Sequence, residues 1–156
     1  MAASLTIVMY HYVRPLAGSA FPDIKGLDLI DFEGQLDYIE RYYQVVSAAQ
    51  VMDAACKGKD LPDSPLLLTF DDGYSDHYRY VLPALKRRKM SAVFFPPGCA
   101  VMERTLLDVN KLHFLLASGV DLQLLVKYIE SEVELERAGF GLRSLAEYRE
   151  GYWLPN

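Results

Sequence analysis

Two adjacent carboxyl groups, those of Asp71 and Asp72, follow directly after the apolar run of residues 66–70. An acidic side chain beside a buried strand is costly unless its charge is compensated or used. Carboxylates in such a position serve as general bases and as ligands for divalent cations. In parallel α/β proteins the active site gathers where the strands end. We therefore expect acid–base or metal chemistry at this pair.

The next residue, Gly73, decides whether both acids can act at one place. Successive side chains of a strand point to opposite faces, so Asp71 and Asp72 share a direction only if the backbone turns between them. Glycine permits such a turn. The same residues also fit a simpler interpretation, in which Asp72-Gly73 is a turn dipeptide and one of the acids caps the next helix. The residues alone leave both interpretations open.

A histidine, His11, follows the first apolar run of the chain, residues 5–10. Because parallel strands end at a common edge of a sheet, we expect His11 and Asp71 at the same rim. The alternative for His11 is a buried histidine that is hydrogen-bonded to the backbone.

The elements that would position these residues alternate between strands and helices. Asp31 is the predicted N-cap of a helix that runs to about Tyr42, and Ser47 opens a capping box for a second helix. Pro83 is expected to kink the helix that follows the acidic pair, or to start a new one. The predicted strands are residues 5–10, 44–46, 66–70 and 92–95. This alternation predicts βαβ units and a parallel sheet, followed by a helical stretch from about Leu106.

Composition excludes several classes of protein. Hydrophobic residues make up 51% of the 156 residues and charged residues 24%, which is typical of a folded globular domain. No apolar run approaches the roughly 20 residues of a membrane-spanning helix. The net charge of −5 argues against nucleic acid as a partner. Two cysteines make no disulfide framework, and the N-terminal residues look like a strand rather than a signal peptide, so we expect a cytoplasmic protein.

The run Leu66-Leu67-Leu68-Thr69-Phe70-Asp71-Asp72-Gly73-Tyr74 resembles the first signature of the polysaccharide deacetylases, the NodB-type carbohydrate esterases of family 4. Residues 80–85 and 91–95 resemble the helix and strand that follow the signature in that family. Residues 9–12, Met-Tyr-His-Tyr, resemble a subgroup that includes deacetylases of exported and biofilm polysaccharides. The resemblance implies an α/β fold, a distorted barrel of seven βα units, of which this chain covers the first half.

The resemblance also implies a reaction, the metal-dependent hydrolysis of an N- or O-acetyl group on a carbohydrate. Position by position, it makes Asp71 the general base, Asp72 a metal ligand and His11 the acid that protonates the leaving amine. The ion would be divalent, with zinc expected. Such an ion lowers the pKa of bound water and polarises the carbonyl, while a nearby carboxylate handles the proton.

Five further residues complete the expected site. Tyr74 is a candidate for the wall of the substrate pocket, and Tyr10 and Tyr12 are candidates for stacking on sugar rings. Gly73 and Thr69 are expected to have structural roles at the site. The predicted organisation is residues 1–103 as the βα units that carry the motif, and residues 104–156 as a helical segment resembling an insertion of longer family members.

One departure from the family pattern limits these expectations. The family's metal site needs two histidines from an H-x-x-x-H element, and this chain has only His11, His77 and His113. His77 is expected to face solvent or cap the backbone, and His113 to lie in a core or interface helix. Related barrels close with roughly 200 residues or more. We therefore expect an incomplete metal site, weak or no activity by the chain alone, and self-association or dimerisation through unpaired strand edges.

Two other functions fit the same residues. One is a non-catalytic protein, derived from a deacetylase, that binds a carbohydrate or a partner. The other is a receiver-like or phosphotransfer domain in which the acidic pair holds Mg²⁺. The second lacks a glycine-rich phosphate-binding loop. Hydrolysis of an N-acetylated sugar distinguishes the deacetylase from both.

Overall fold

The strand that ends in the acidic pair, β3 (Pro65–Asp71), is the one with which every other strand of the described sheet pairs. The computed structural model describes residues 4–152. In it, β3 pairs with β1 (Thr6–Tyr10), β2 (Gln44–Val45) and β4 (Ala92–Phe95), and all three pairings are parallel. The predicted α/β class with parallel strands is therefore confirmed.

The helices between the strands begin and end largely where the sequence predicts. They are α1 (Leu29–Tyr42), α2 (Ala48–Lys57), α3 (Leu82–Arg88), α4 (Gly98–Met102), α5 (Asp108–Leu116), α6 (Leu122–Phe140) and α7 (Leu145–Tyr152). The capping box at Ser47 is present. A π-helical turn, His77–Val81, precedes α3, which starts with Pro83 in its first turn, as expected of a proline that interrupts a helix.

The N-cap of α1 differs from the prediction. Asp28, not Asp31, holds this position, and its carboxylate accepts a hydrogen bond from the backbone N–H of Ile30. Its other oxygen accepts from the N–H of Leu16, 2.9 Å away. Asp28 therefore ties the loop before α1 to the helix start, a tertiary contact that helical spacing cannot reveal.

The main core lies on the face of the sheet that α1 and α3 cover. Alternate residues of β1 and β3 point into it, and Tyr10 and Phe70 stack there with ring centroids 5.1 Å apart. On the opposite face, Ile7 and Met9 are each 59% exposed, and Phe95 is 55% exposed. Exposed apolar surface of this kind favours association. Self-association through this part of the chain stays a prediction.

The chain divides into two compact units, with the boundary between Ala117 and Ser118. The sequence-based division was at residues 103 and 104. The difference arises because α5 belongs to the first unit: Phe114 and Ala117 pack with Tyr12 and Ile24 in a second small core. The second unit contains α6 and α7, which are joined by an ion pair between Glu130 and Arg149. No helix within residues 4–152 combines the length and apolarity needed to span a bilayer.

An ion-pair cluster joins α3 to α1. Arg88 lies within 2.9 Å of carboxylate oxygens of Glu33, Asp37 and Glu40, and its side chain is only 17% exposed. The hydrogen bond from Arg88 holds the pKa of Glu33 below its ordinary value. Pairs of this kind contribute more when one partner is shielded and several charges form a network.

Replacing Arg88 with glutamine is expected to lower the free energy of unfolding by about 1–2 kcal/mol near neutral pH. A carboxyl group whose pKa is depressed on folding contributes stability above its unfolded pKa, and loses it as the pH falls through the folded value. The difference between the wild type and Arg88→Gln should therefore shrink below about pH 4. Urea denaturation across this pH range measures it. Arg41→Gln, at an exposed position on α1, is the control. An equal effect of both variants at all pH values would contradict the prediction.

Candidate active site

His11 and Asp72, 61 positions apart in the sequence, meet where β1 and β3 end. The parallel register pairs Tyr10 with Phe70, so the next residues along the two strands are His11 and Asp71. His11 Nδ1 lies 3.2 Å from Asp72 Oδ2. The structure therefore brings His11 to the rim that carries the acidic pair, and its side chain is not buried. That placement differs from the alternative of a buried histidine bonded to the backbone.

The backbone turns at the acidic pair itself. Asp72 has a φ of +69° and Gly73 a φ of +61°, so two consecutive residues adopt the left-handed conformation. Aspartate tolerates this region better than most residues with a Cβ atom. The sequence predicted the turn at Gly73, or at Asp72-Gly73 as a turn dipeptide. The turn redirects Asp72 towards His11, while Asp71 remains in the β3 ladder, paired with Phe95 of β4.

Gly73 is required for a second reason, which is space. A Cβ atom built on it would lie 2.7 Å from Pro96 Cβ and 2.9 Å from Pro96 Cα. The loop after β4 therefore packs directly on the motif turn. The structural role expected of Gly73 is consistent with this contact. Thr69 donates a long hydrogen bond of 3.4 Å to the carbonyl of Val8, linking β3 to β1 just below the site.

Asp72 Oδ2 is the acceptor of two hydrogen bonds. The Tyr74 hydroxyl donates to this oxygen at 2.5 Å, and Nδ1 of His11 contacts the same oxygen. Partial burial alone raises the pKa of Asp72, but the hydrogen bonds from Tyr74 and His11 outweigh it and hold the pKa below its ordinary value. Asp72 is therefore a carboxylate at neutral pH. Burial, followed by the contacts with Asp72 and Tyr12, raises the pKa of Tyr74, so its phenol keeps its proton.

The three tyrosines predicted to contact substrate lie in different places. Tyr74 is part of the cluster and is partly exposed. Tyr12 is buried and stacks on Tyr74 with ring centroids 4.3 Å apart, so it packs against a residue of the cluster and is not exposed to substrate. Tyr10 lies in the main core, where its hydroxyl donates to Gln35 at 2.8 Å. The structure does not bring Tyr10 to the cluster, because strand alternation directs it to the face opposite His11.

The other two histidines are both engaged in contacts. His77 is 3% exposed, and its Nε2–H donates to the carbonyl of His11 at 2.7 Å. Of the two expectations for His77, the backbone contact holds and the solvent-facing position is wrong. The π-helical turn draws His77 inward, against the rings of Phe70 and Tyr74. His113 Nδ1 lies 3.3 Å from the hydroxyl of Tyr12.

A divalent ion requires more ligands than these residues offer. Within residues 4–152, no three histidine, cysteine, aspartate or glutamate side chains lie close enough together to hold a metal ion. Asp72 is one ligand of suitable chemistry, and the nearby His77 donates from Nε2 to the backbone, while its buried Nδ1 has no hydrogen-bond partner among the described residues. The described part of the chain therefore does not by itself fit a zinc centre, and the predicted ion stays a prediction.

A cavity of about 360 Å³ opens beside Asp72. Arg14, Arg79 and Asn110 provide polar groups at its wall, and Phe114 provides an aromatic one. Arg14 Nε lies 3.5 Å from Asp76 Oδ2, and its guanidinium stands 5.7 Å from the centre of the Phe114 ring. The sequence analysis missed these residues. Their signal was a lone amide in the apolar stretch of α5, and an arginine within five residues after each of the two motifs. A larger cavity, about 630 Å³, lies between β1 and α1.

Comparison with known proteins shows to which family the residues around this site belong. The sequence profile described as polysaccharide deacetylase matches residues 58–134, which include the acidic motif, β4 and α5. This part of the chain belongs to the polysaccharide deacetylase family. The resemblance based on residues 66–74 is thereby confirmed. At the level of the family, the match supports a hydrolase-type enzyme.

Individual deacetylases show the same relationship. Poly-beta-1,6-N-acetyl-D-glucosamine N-deacetylase of Escherichia coli is 46% identical over 59 residues, which are 38% of this chain and 9% of that enzyme. A de-N-acetylase from Aggregatibacter actinomycetemcomitans superposes with a TM-score of 0.51 at 30% identity, over 59% of this chain and 37% of that one. The chain therefore spans a minor part of the length of these relatives.

The fold of the deacetylases extends over most of the chain. The deacetylase PplD of Streptococcus pyogenes superposes with a TM-score of 0.57 at 14% identity, covering 92% of this chain and 72% of that one. At this identity the likeness concerns the fold alone. It supports the prediction that the parallel strands are part of a deacetylase-type barrel.

Proposed function

We propose that this chain acts in the hydrolysis of N-acetyl groups on a β-1,6-linked N-acetylglucosamine polysaccharide. The main support is the contact between His11 and Asp72, next to Asp71, at the ends of β1 and β3. These residues lie in or beside the part of the chain that matches the deacetylase family. The substrate class is supported by the name of the Escherichia coli relative. An acetylated carbohydrate is thus the proposed substrate of this site.

The chemistry follows from the groups at the rim. The Asp71 carboxylate accepts a proton from the water that attacks the acetamide carbonyl. His11, in its protonated form, donates a proton to the amine nitrogen as the carbon–nitrogen bond breaks. Asp72 bonds to His11 Nδ1 and thereby holds the imidazole, leaving Nε2 available to the leaving group. Tyr74 completes the shell around Asp72.

The cavity beside Asp72 offers the kind of surface that a sugar recognises. Saccharides bind through hydrogen bonds to polar side chains and through stacking of ring faces on aromatic groups. Arg79 supplies the first and Phe114 the second. With the scissile acetamide at Asp71 and Asp72, the sugar ring lies in this cavity.

A second function, carbohydrate binding without turnover, is favoured by one observation. The described residues hold no group of three potential metal ligands. A deacetylase that depends on a metal would then be slow in this chain alone, while the cavity would still bind the acetylated sugar.

One experiment distinguishes the two functions. The full chain is titrated with a β-1,6-linked N-acetylglucosamine oligomer and with its fully deacetylated counterpart, and free acetate is measured with and without added zinc. We expect preferential binding of the acetylated oligomer together with slow acetate release. Binding without release would support the second function. Absence of binding to the acetylated oligomer would contradict both.

A further inference from the structure

Asn110, on α5, is one of the most deeply buried polar residues of the described chain, with 3% of its surface exposed. A buried amide is costly unless its hydrogen-bonding groups are satisfied. Its Nδ2 donates to the hydroxyl of Tyr74 at 2.7 Å and to the hydroxyl of Tyr12 at 3.1 Å. The amide therefore holds the two stacked tyrosines from one side.

The direction of these hydrogen bonds is fixed by counting protons. Tyr74 has a single hydroxyl proton, and the carboxylate of Asp72 can only accept, so that proton lies on the 2.5 Å contact between them. The Tyr74 oxygen must then accept from Asn110, which requires the amide nitrogen at this contact. Tyr12 likewise accepts from Asn110, and its hydroxyl also lies 3.3 Å from Nδ1 of His113.

The result is a series of donors that runs from Asn110 through Tyr74 to Asp72. A hydroxyl that accepts a hydrogen bond becomes a stronger donor, so Asn110 strengthens the bond from Tyr74 to Asp72. Asp72 depends on such support because its φ of +69° is a strained conformation that persists only when its neighbours fix it. Helix α5 thus reaches the acidic motif through two side chains.

We propose that Asn110 is a positioning residue for Asp72, acting through the hydroxyl of Tyr74, so that α5 helps to set the geometry of the His11–Asp72 pair. This inference rests on the proposed function for its catalytic consequence, but not for the hydrogen-bond series itself. Asn110 acts on Asp72 only through Tyr74. Once Tyr74 is removed, the further removal of Asn110 should therefore have no additional effect.

The test is a double-variant cycle with Asn110→Leu and Tyr74→Phe in the full chain. Each single variant is expected to reduce acetate release, by roughly tenfold in Tyr74→Phe, with little change in KM, and the double variant should lose no more than Tyr74→Phe alone. Asn110→Asp, which keeps the shape but replaces the donor with an acceptor, is expected to show the same loss. Val109→Ala, a half-exposed neighbour on α5, is the control. Losses that multiply in the double variant would overturn the proposal.

A spectroscopic measurement tests the series independently of activity. In protein labelled with ¹³C at tyrosine Cζ, the Tyr74 resonance is assigned by its disappearance in Tyr74→Phe. It is expected to shift in Asn110→Leu and Asn110→Asp and to remain in place in Val109→Ala. A shift without acetate release from the wild type would uphold the series and contradict the proposed function. An unchanged Tyr74 resonance in both Asn110 variants would overturn the inference whatever the activity.

Discussion

Asp71→Asn is expected to reduce acetate release from the N-acetylglucosamine oligomer by about a hundredfold or more, because an amide cannot accept the proton of the attacking water. The substitution keeps the size of the side chain, and Asp71 stays in the β3–β4 ladder through its backbone. Binding of the acetylated oligomer should therefore be nearly unchanged. Comparison of initial rates and of dissociation constants for the two proteins separates these effects.

Asp60→Asn provides the matched control, because this aspartate is exposed in the connection before β3. It removes one negative charge, as Asp71→Asn does, and so reports any general effect of net charge. Its rate should equal that of the wild type. If Asp71→Asn were as active as Asp60→Asn, Asp71 would not be the base.

Gly73→Ala is expected to lower the free energy of unfolding by about 2–4 kcal/mol. Two costs contribute: a Cβ atom in the left-handed region costs about 1 kcal/mol or somewhat more, and overpacking against a neighbour costs about 1–3 kcal/mol. The neighbour is Pro96, whose Cα atom would lie 2.9 Å from the new methyl group. Backbone and ring atoms cannot rotate away as a flexible side chain can. Urea denaturation of both proteins measures the loss.

Gly58→Ala isolates the first of these costs. Gly58 has a φ of +64°, close to the +61° of Gly73, yet a Cβ atom there would meet no atom within 4 Å. This variant should lose only about 1 kcal/mol. The excess loss in Gly73→Ala then measures the contact with Pro96. Equal losses in the two variants would show that the loop after β4 does not press on the motif turn.

The sequence predicted the strands well because their signal is local. Residues 66–70 form a continuous apolar run that ends at two acids, and β3 begins and ends within one residue of it. The rim position of His11 followed from strand order alone, since parallel strands end at one edge of the sheet. The chemistry at Asp71 and Asp72 came instead from the family resemblance. Turn propensity by itself did not distinguish a catalytic pair from a capping turn.

Other features depend on contacts between residues distant in the chain. Tyr10 and Tyr12 look equivalent in Met-Tyr-His-Tyr, but β1 ends at Tyr10, which lies in the main core, whereas Tyr12 follows the strand and stacks on Tyr74. Asn110 reaches Tyr74 across 36 positions, and no periodicity connects them. Asp28 caps α1 with one carboxylate oxygen and binds the loop at Leu16 with the other. Such partners become visible only when the chain is folded.

The most direct test of a deacetylase site at this rim is the hydrolysis of the oligomer's N-acetyl groups to free acetate. The methyl signals in ¹H NMR follow this reaction. The full chain is incubated with saturating β-1,6-linked N-acetylglucosamine oligomer and added zinc, beside a blank without protein and a sample of Asp71→Asn. We expect slow release above the blank for the wild type, and release near the blank for Asp71→Asn. Release no faster than the blank in the wild type, or equal release by both proteins, would contradict the claim that this rim is a deacetylase site.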